Sequence, residues 1–203
     1  MSVAFLTEPP LVLPEDLGPY RRQDYEALGE EEPRCELILG RFYVSPSPSP
    51  LHQIIAIMLS RQFDSIAETT GGIAFAAPLD VNLAEHSVVQ PDILYISAQR
   101  RTILQRKIEG APDLLVEILS PGTARRDRGQ KMQLYADFGV REYWVVDAQE
   151  RQIDFLVNQG GHFVVALPSG GTYRSQALPE VSIDLAAFWR RVAKRLGEPL
   201  PPE

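Results

Sequence analysis

Asp92, Glu117 and Lys131 are the residues of this 203-residue chain whose types and settings allow chemistry. Residues 93–96 and 114–119 are apolar on both faces, the pattern of central strands covered on either side. Alternation nonetheless puts Asp92 on the face of Leu94 and Ile96, and Glu117 on the face of Leu115 and Leu119. An isolated buried carboxylate costs several kcal/mol, so each must be paired, protonated or bound to a cation. A salt bridge explains one such acid; for two in neighbouring strands, a shared metal ion is an equal alternative. The following segment, 124–138, has helical character. Projected as an α-helix, it gathers Asp127, Lys131, Leu134, Tyr135 and Phe138 on an arc about 100° wide. Lys131 therefore lies on the buried side, either reaching toward the two acids or snorkelling along apolar surface to water. Two carboxylates and a lysine converging at the end of a central sheet suit metal-assisted phosphodiester hydrolysis. Oxygen ligands hold a hard divalent cation, the cation lowers the pKa of a bound water, and the lysine stabilises charge without taking a metal position. The neighbouring Arg125, Arg126 and Arg128 supply a phosphate-binding rim.

These residues need a scaffold, and the rest of the chain reads as one. A hydrophobic content of 44% with 23% charged residues is ordinary globular composition. A chain of this length buries roughly 70% of its unfolded surface, enough for a single core without disulfides or structural metal. The expected organisation is an extended, proline-bearing N-terminal arm over 1–19, one domain over 20–196 and a short tail over 197–203. A short helix is expected over 20–28, and two short strands over 36–44 turning about Gly40 and Arg41. Residues 45–50 alternate serine with proline and form a stiff connector. Ser49 and Pro50 then cap and open a long helix whose apolar residues recur at helical spacing to Gly71. Strands follow over 73–77, 79–83, 88–97 and 114–119, then the helix over 124–138 stopped by Gly139, and a strand over 142–147. A hairpin over 153–157 and 163–167 and a final amphipathic helix over 184–196 complete the order. This is an α/β fold, a mixed sheet flanked by helices.

Several function classes are disfavoured. The longest uninterrupted apolar run, residues 54–59, is far short of the ~20 residues of a membrane helix. The N-terminus lacks the basic start of a secretory signal. The single cysteine, Cys35, excludes an intrachain disulfide and fits a reducing, cytoplasmic setting. Twenty Lys and Arg against 27 Asp and Glu give a net charge of −7, against nonspecific coating of nucleic acid by bulk electrostatics. Even so, eight of the twenty bases lie between Arg100 and Lys131, beside only four acids. That stretch is either a local basic face or a pair of solvated turns.

The series Pro91-Asp92, then Asp113-Leu-Leu-Val-Glu117-Ile-Leu-Ser-Pro-Gly-Thr123, Asp127-Arg-Gly-Gln-Lys131-Met-Gln-Leu-Tyr135 and Gly139-Val-Arg-Glu-Tyr-Trp-Val-Val-Asp147 resembles the bacterial putative restriction endonuclease family of the PD-(D/E)XK nuclease superfamily. The likeness extends upstream through Glu36-Leu-Ile-Leu-Gly40 and the Ser-Pro run to His52, covering most of residues 20–190. It implies a restriction-endonuclease-like core with an additional C-terminal β-hairpin, and a Mg²⁺-dependent endonuclease acting on DNA, with Mn²⁺ able to substitute. A homodimer in the cytoplasm belongs to the same expectation. The resemblance makes Asp92 and Glu117 metal-binding acids, with the carbonyl of Ile118 as a backbone ligand and Asp127 in support. One position departs from the superfamily pattern: Leu119 occupies the place of the usual strand lysine. The family moves that function to the following helix, where Lys131 is the matching residue. Glu36 is either a metal helper or a helix-to-sheet hydrogen-bonding residue, and Asp80 is a similar, weaker candidate. The alternative function is a catalytically inactive module of the same fold that binds nucleic acid or protein partners; a hydrolase of smaller phosphoesters is a third.

Other constellations are weaker. His52, His86 and His162 are scattered and give no zinc-ligand spacing. His52 serves either near Glu36 or as an ordinary first-turn helix residue. Residues 120–123 join a strand to a helix without the Gly-x-Ser-x-Gly form of a nucleophile elbow, and read as a turn and cap. Tyr143 and Trp144 read as core.

Overall fold

The computed structural model describes residues 17–28 and 34–198, so most of the expected arm and tail lies outside the described residues. The first described segment packs over the turn of a hairpin. It leads into α1 (Arg22–Glu26), and the hairpin is formed by β1 (Cys35–Ile38) and β2 (Arg41–Val44). Gly18 donates its N–H to the Leu39 carbonyl at 2.7 Å. A Cβ on Gly40, whose φ is +74°, would stand 2.3 Å from the Gly18 oxygen, so this crossing admits only glycine.

The long helix α2 (Pro50–Thr70) begins and ends where its sequence signals say. The Ser49 hydroxyl accepts from the His52 N–H at 3.2 Å, and Gly71 closes the helix in the left-handed region. Its buried residues Ile55, Leu59, Phe63 and Ala67 recur every fourth position and face the sheet. Next come β3 (Ile73–Ala76), β4 (Val81–Ala84), β5 (Ser87–Val89) and β6 (Ile93–Ile96). The expected single strand over 88–97 is thus two strands. Pro91 cannot donate to a ladder, and at Gln90-Pro91-Asp92 the chain leaves one sheet for another. A 3₁₀ turn (Ala98–Ile103), β7 (Ile108–Glu109) and β8 (Leu114–Ile118) follow.

The expected continuous helix over 124–138 also differs. It consists of α3 (Ala124–Arg126), a π-helical turn (Asp127–Lys131) and α4 (Met132–Asp137). Tyr143 donates its hydroxyl to the Asp127 carbonyl at 3.1 Å, giving a carbonyl of the widened turn a partner from outside the helix. The chain continues through β9 (Glu142–Asp147), β10 (Gln152–Asn158), β11 (Phe163–Val165), β12 (Thr172–Arg174), β13 (Ser182–Asp184) and α5 (Leu185–Leu196), which is capped by the Asp184 side chain. The pair β12–β13 had no recognisable sequence signal.

The strands divide between a five-stranded sheet, β2-β1-β5-β4-β7, and a six-stranded sheet, β11-β10-β9-β8-β6-β3, beside the two-stranded β12–β13. In the six-stranded sheet only β8 and β9 run parallel. One face of this sheet, with Ile93, Val116, Trp144 and Phe155, packs under α2 and α5 through Phe63 and Phe188. The other face, with Leu94, Leu115, Tyr143 and Val145, packs against α4 and the five-stranded sheet through Tyr135, Ile38 and Val81. The fold class is therefore the mixed α/β one expected. Among the described residues no helix is long and apolar enough to cross a membrane.

A fully buried carboxylate holds the C-terminal segment to the sheet. Glu142 accepts from Trp144 Nε1 (2.6 Å), the Tyr173 and Ser175 hydroxyls (2.9 and 2.7 Å) and the backbone N–H groups of Gln176 and Ala177 (2.7 and 2.8 Å). Glu142→Ala strands five donors in a dry site, so it should lower unfolding free energy by at least ~3 kcal/mol. Urea denaturation measures this, and a loss under ~1 kcal/mol would show that Glu142 is not the anchor.

Candidate active site

The crossover that splits the expected strand also positions the first acid. β6 pairs antiparallel with β8 as Ile93↔Val116 and Leu94↔Leu115, and one further step of this register sets Asp92 across from Glu117. Asp92 Oδ2 accepts the Ile118 N–H at 2.8 Å and lies 3.1 Å from His52 Nε2, in the first turn of α2. The acid is thus held from β8 and from α2 at once.

Glu117 and Lys131 meet from opposite layers. Lys131 Nζ is 2.5 Å from Glu117 Oε1, 2.8 Å from Glu36 Oε1 and 3.7 Å from Asp127 Oδ1, and the lysine is only 2% exposed. Glu117 Oε1 also accepts from the Tyr135 hydroxyl at 2.8 Å. Glu36 Oε1 accepts the Gln90 N–H at 2.8 Å, and its other oxygen is 3.8 Å from Arg126. The contacts of Glu36 make a hydrogen-bonding tie between β1 and the π-helical turn. Lys131 does not snorkel.

These residues line a cleft of about 790 Å³. Its walls are the Ser-Pro run over 45–49, the face of α2 bearing His52, Gln53, Ile57 and Arg61, and the turn over 120–123. Around the base stand four carboxylates, Glu36, Asp92, Glu117 and Asp127, against two fixed cations, Lys131 and Arg126. Their formal sum, −4 + 2, is −2, and Arg34 and Arg61 on the walls bring the cleft as a whole to zero. Burial pushes the Glu117 carboxyl well above the usual carboxylate range; Lys131 opposes this, while Asp127, Asp92 and Glu36 add to it. Asp127 is raised too, by burial against the pull of Lys131. Burial draws the Lys131 ammonium down, but Glu117, Glu36 and Asp127 outweigh it, and the lysine stays charged.

Carboxylate oxygens gathered at the base of a cleft are the ligand type that suits a hard divalent cation. Asp92 Oδ1 and Glu117 Oε2 have no hydrogen-bond partner among the described residues, which leaves one oxygen on each acid open. No three His, Cys, Asp or Glu side chains among the described residues form a metal-binding group. A cation here would therefore draw two side-chain ligands from Asp92 and Glu117 and complete its shell from backbone and water, as Mg²⁺ commonly does.

The remaining expectations sort clearly. Asp80 does not join the site. It is half-buried and held by Lys107 at 2.8 Å and by Tyr25 and Gln90, and it does not line the cleft. Of the three rim arginines, only Arg126 lines the cleft. It lies 4.9 Å from the centre of the Tyr43 ring, and its buried Nε has no partner. Arg125 is exposed outside the cleft, and Arg128 is held by Asp147 and Asp154. Arg34, Arg61 and Gln90 line the cleft without any motif that marks them in sequence. Tyr135, which hydrogen-bonds Glu117, was visible only as part of the apolar stripe.

The raised Glu117 has a measurable consequence. From the ordinary carboxylate range up to its own raised value, the folded state binds a proton that the unfolded chain has released. Stability contributed by this group is therefore present at low pH and declines as pH rises through that window. Glu117→Gln removes the titrating group, so its stability relative to the native chain should improve steadily from pH 5 toward neutrality. Thermal melts across that range test this; parallel curves would refute it.

The family described as Putative restriction endonuclease (Uma2) matches residues 22–186. No curated protein matches the chain. Among solved structures, the crystal structure of a putative nuclease belonging to DUF820 from Anabaena variabilis superposes with a TM-score of 0.70 at 21% identity, over 84% of this chain and 99% of that one. At that identity the likeness establishes a shared fold. Because the family match spans most of the sequence, the chain belongs to the Uma2 family of putative restriction endonucleases.

Proposed function

We propose that the chain is a Mg²⁺-dependent endonuclease that hydrolyses phosphodiester bonds of DNA. One observation carries the reading: Asp92, Glu117 and Lys131 meet at the base of one cleft, and each acid keeps one oxygen without a hydrogen-bond partner among the described residues. Asp92 and Glu117 would hold the ion with the Ile118 carbonyl, and Mn²⁺ would substitute. When bound, the ion acidifies a ligated water and offsets charge on the phosphate.

The protein's own residues supply the remainder. His52 and the Ile118 N–H hold Asp92 Oδ2, which leaves Oδ1 as the oxygen to act as a ligand. An ammonium has three N–H donors; Glu36 and Glu117 account for two of those of Lys131, leaving one for the attacking water or a phosphate oxygen. Arg126, over the Tyr43 ring, lines the cleft and would donate from its guanidinium to a phosphate oxygen. The same proposal sets the enzyme in the cytoplasm as a homodimer. β11 lies at one edge of the six-stranded sheet with Val164 and Val165 exposed, and this edge is the pairing surface.

Purified protein should nick supercoiled plasmid only with Mg²⁺ or Mn²⁺ and stop on adding a chelator. Asp92→Asn and Glu117→Gln should each reduce the rate by ~10²-fold or more with the circular dichroism spectrum retained. Chelator-resistant cleavage, or cleavage undiminished in both folded variants, would remove the basis for the assignment.

A further inference from the structure

Arg61, exposed on α2, lines the cleft and also a second groove of about 360 Å³ between α2 and α5. The other walls of that groove are Met58, Gln62, Phe188, Arg191 and Arg195. Many bases elsewhere are matched: Arg22 by Glu26 and Glu109, Lys107 by Asp80, Arg128 by Asp147 and Asp154. The last helix differs. Arg190, Arg191, Lys194 and Arg195 are all exposed, its twelve residues include no acid, and neither they nor Arg61 form an ion pair among the described residues. Favourable interaction with the helix C-terminus accounts for Lys194 and Arg195. It does not account for Arg191 and Arg195 converging with Arg61, a residue of another helix, around one groove on a protein of net charge −7.

Unrelieved like charges facing one groove call for an anion, and their continuity with the cleft calls for an extended one. Arg191 and Arg195, four residues apart on a helix, are offset by ~6 Å along its axis. That is about two nucleotides of a stacked strand at ~3.4 Å each. Met58, half-buried, offers apolar surface for the sugars between phosphates. Resting on the nuclease reading above, we infer that the α2–α5 groove carries the phosphate backbone of the nucleic-acid strand running out of the cleft, with Arg61 bridging the two. The contacts are to phosphate, so they add affinity and register without sequence preference.

The test is the salt dependence of binding to a fluorescent DNA duplex several turns long, without divalent cation, for the native chain and for Arg191→Ala/Arg195→Ala. Arg106→Ala/Arg174→Ala removes the same charge from exposed positions elsewhere. Removing two phosphate contacts should make the slope of log affinity against log salt shallower by about 1.8, with weaker binding at every salt concentration. The control pair should leave the slope unchanged. Equal slopes for the two double variants, in a native protein that cleaves DNA, would overturn the groove assignment while leaving the nuclease reading intact. A native protein that neither binds nor cleaves DNA would overturn both. Loss of binding to phosphatidylserine vesicles in place of DNA would reassign the groove to a membrane surface and equally overturn the inference.

Discussion

The architecture of the site depends on one buried ammonium. Lys131, from the π-helical turn, sits between Glu36 of β1 and Glu117 of β8, so three elements of two sheets and a helix meet at one charge. Taking such a network out of water is costly, and replacing buried ion pairs with hydrophobic residues is often neutral or stabilising. Packing alone therefore does not explain it. What the network provides is orientation: it fixes Glu117 at the base of the cleft that Asp92 also lines, and keeps the lysine charged.

Two local departures from regular structure make that meeting geometrically workable. In a regular α-helix the turn at 127–131 would be narrower. The π-helical widening is partnered by Tyr143 at the Asp127 carbonyl, and both Asp127 and Lys131 of this turn are buried. Such bulges cluster at functional sites. The second departure is the crossover at Pro91, which ends one ladder and begins another, leaving Asp92 at the junction where the cleft opens. Neither would be selected for regularity of secondary structure, yet both supply residues of the site.

The buried carboxylates divide by how fully their oxygens are partnered. Glu142 has five donors and no opening to the cleft; it anchors β12, the 175–177 segment and the core around Trp144. Asp113 is likewise fully buried, accepting the Ser97 N–H and facing Arg100 and Arg141. Asp92 and Glu117 are satisfied on one oxygen and open on the other. Partner saturation, a property of the folded neighbourhood, thus separates Glu142 from Asp92 and Glu117.

Much was legible in the sequence because it depends on short-range physics. Ser49, Pro50 and Gly71 bound α2 by local hydrogen bonding and backbone preference, alternation marked Glu117 as an inward acid, and the helical projection marked Lys131 as buried. Long-range arrangement was not legible. Residues 88–97 share one β-like composition, and only the packing of two layers decides that they belong to different sheets. Asp80 and Glu36 are both acids near apolar strands; tertiary contacts alone tie one to Lys107 and the other to Lys131. Arg34 and Arg61 carry no periodic or motif signal, since an exposed arginine costs nothing locally wherever it stands. Residue types and their spacing along each element were enough to name the three central side chains. Whether those charges meet, and which cations remain unmatched, is a sum of through-space interactions that exists only once distant elements are packed together.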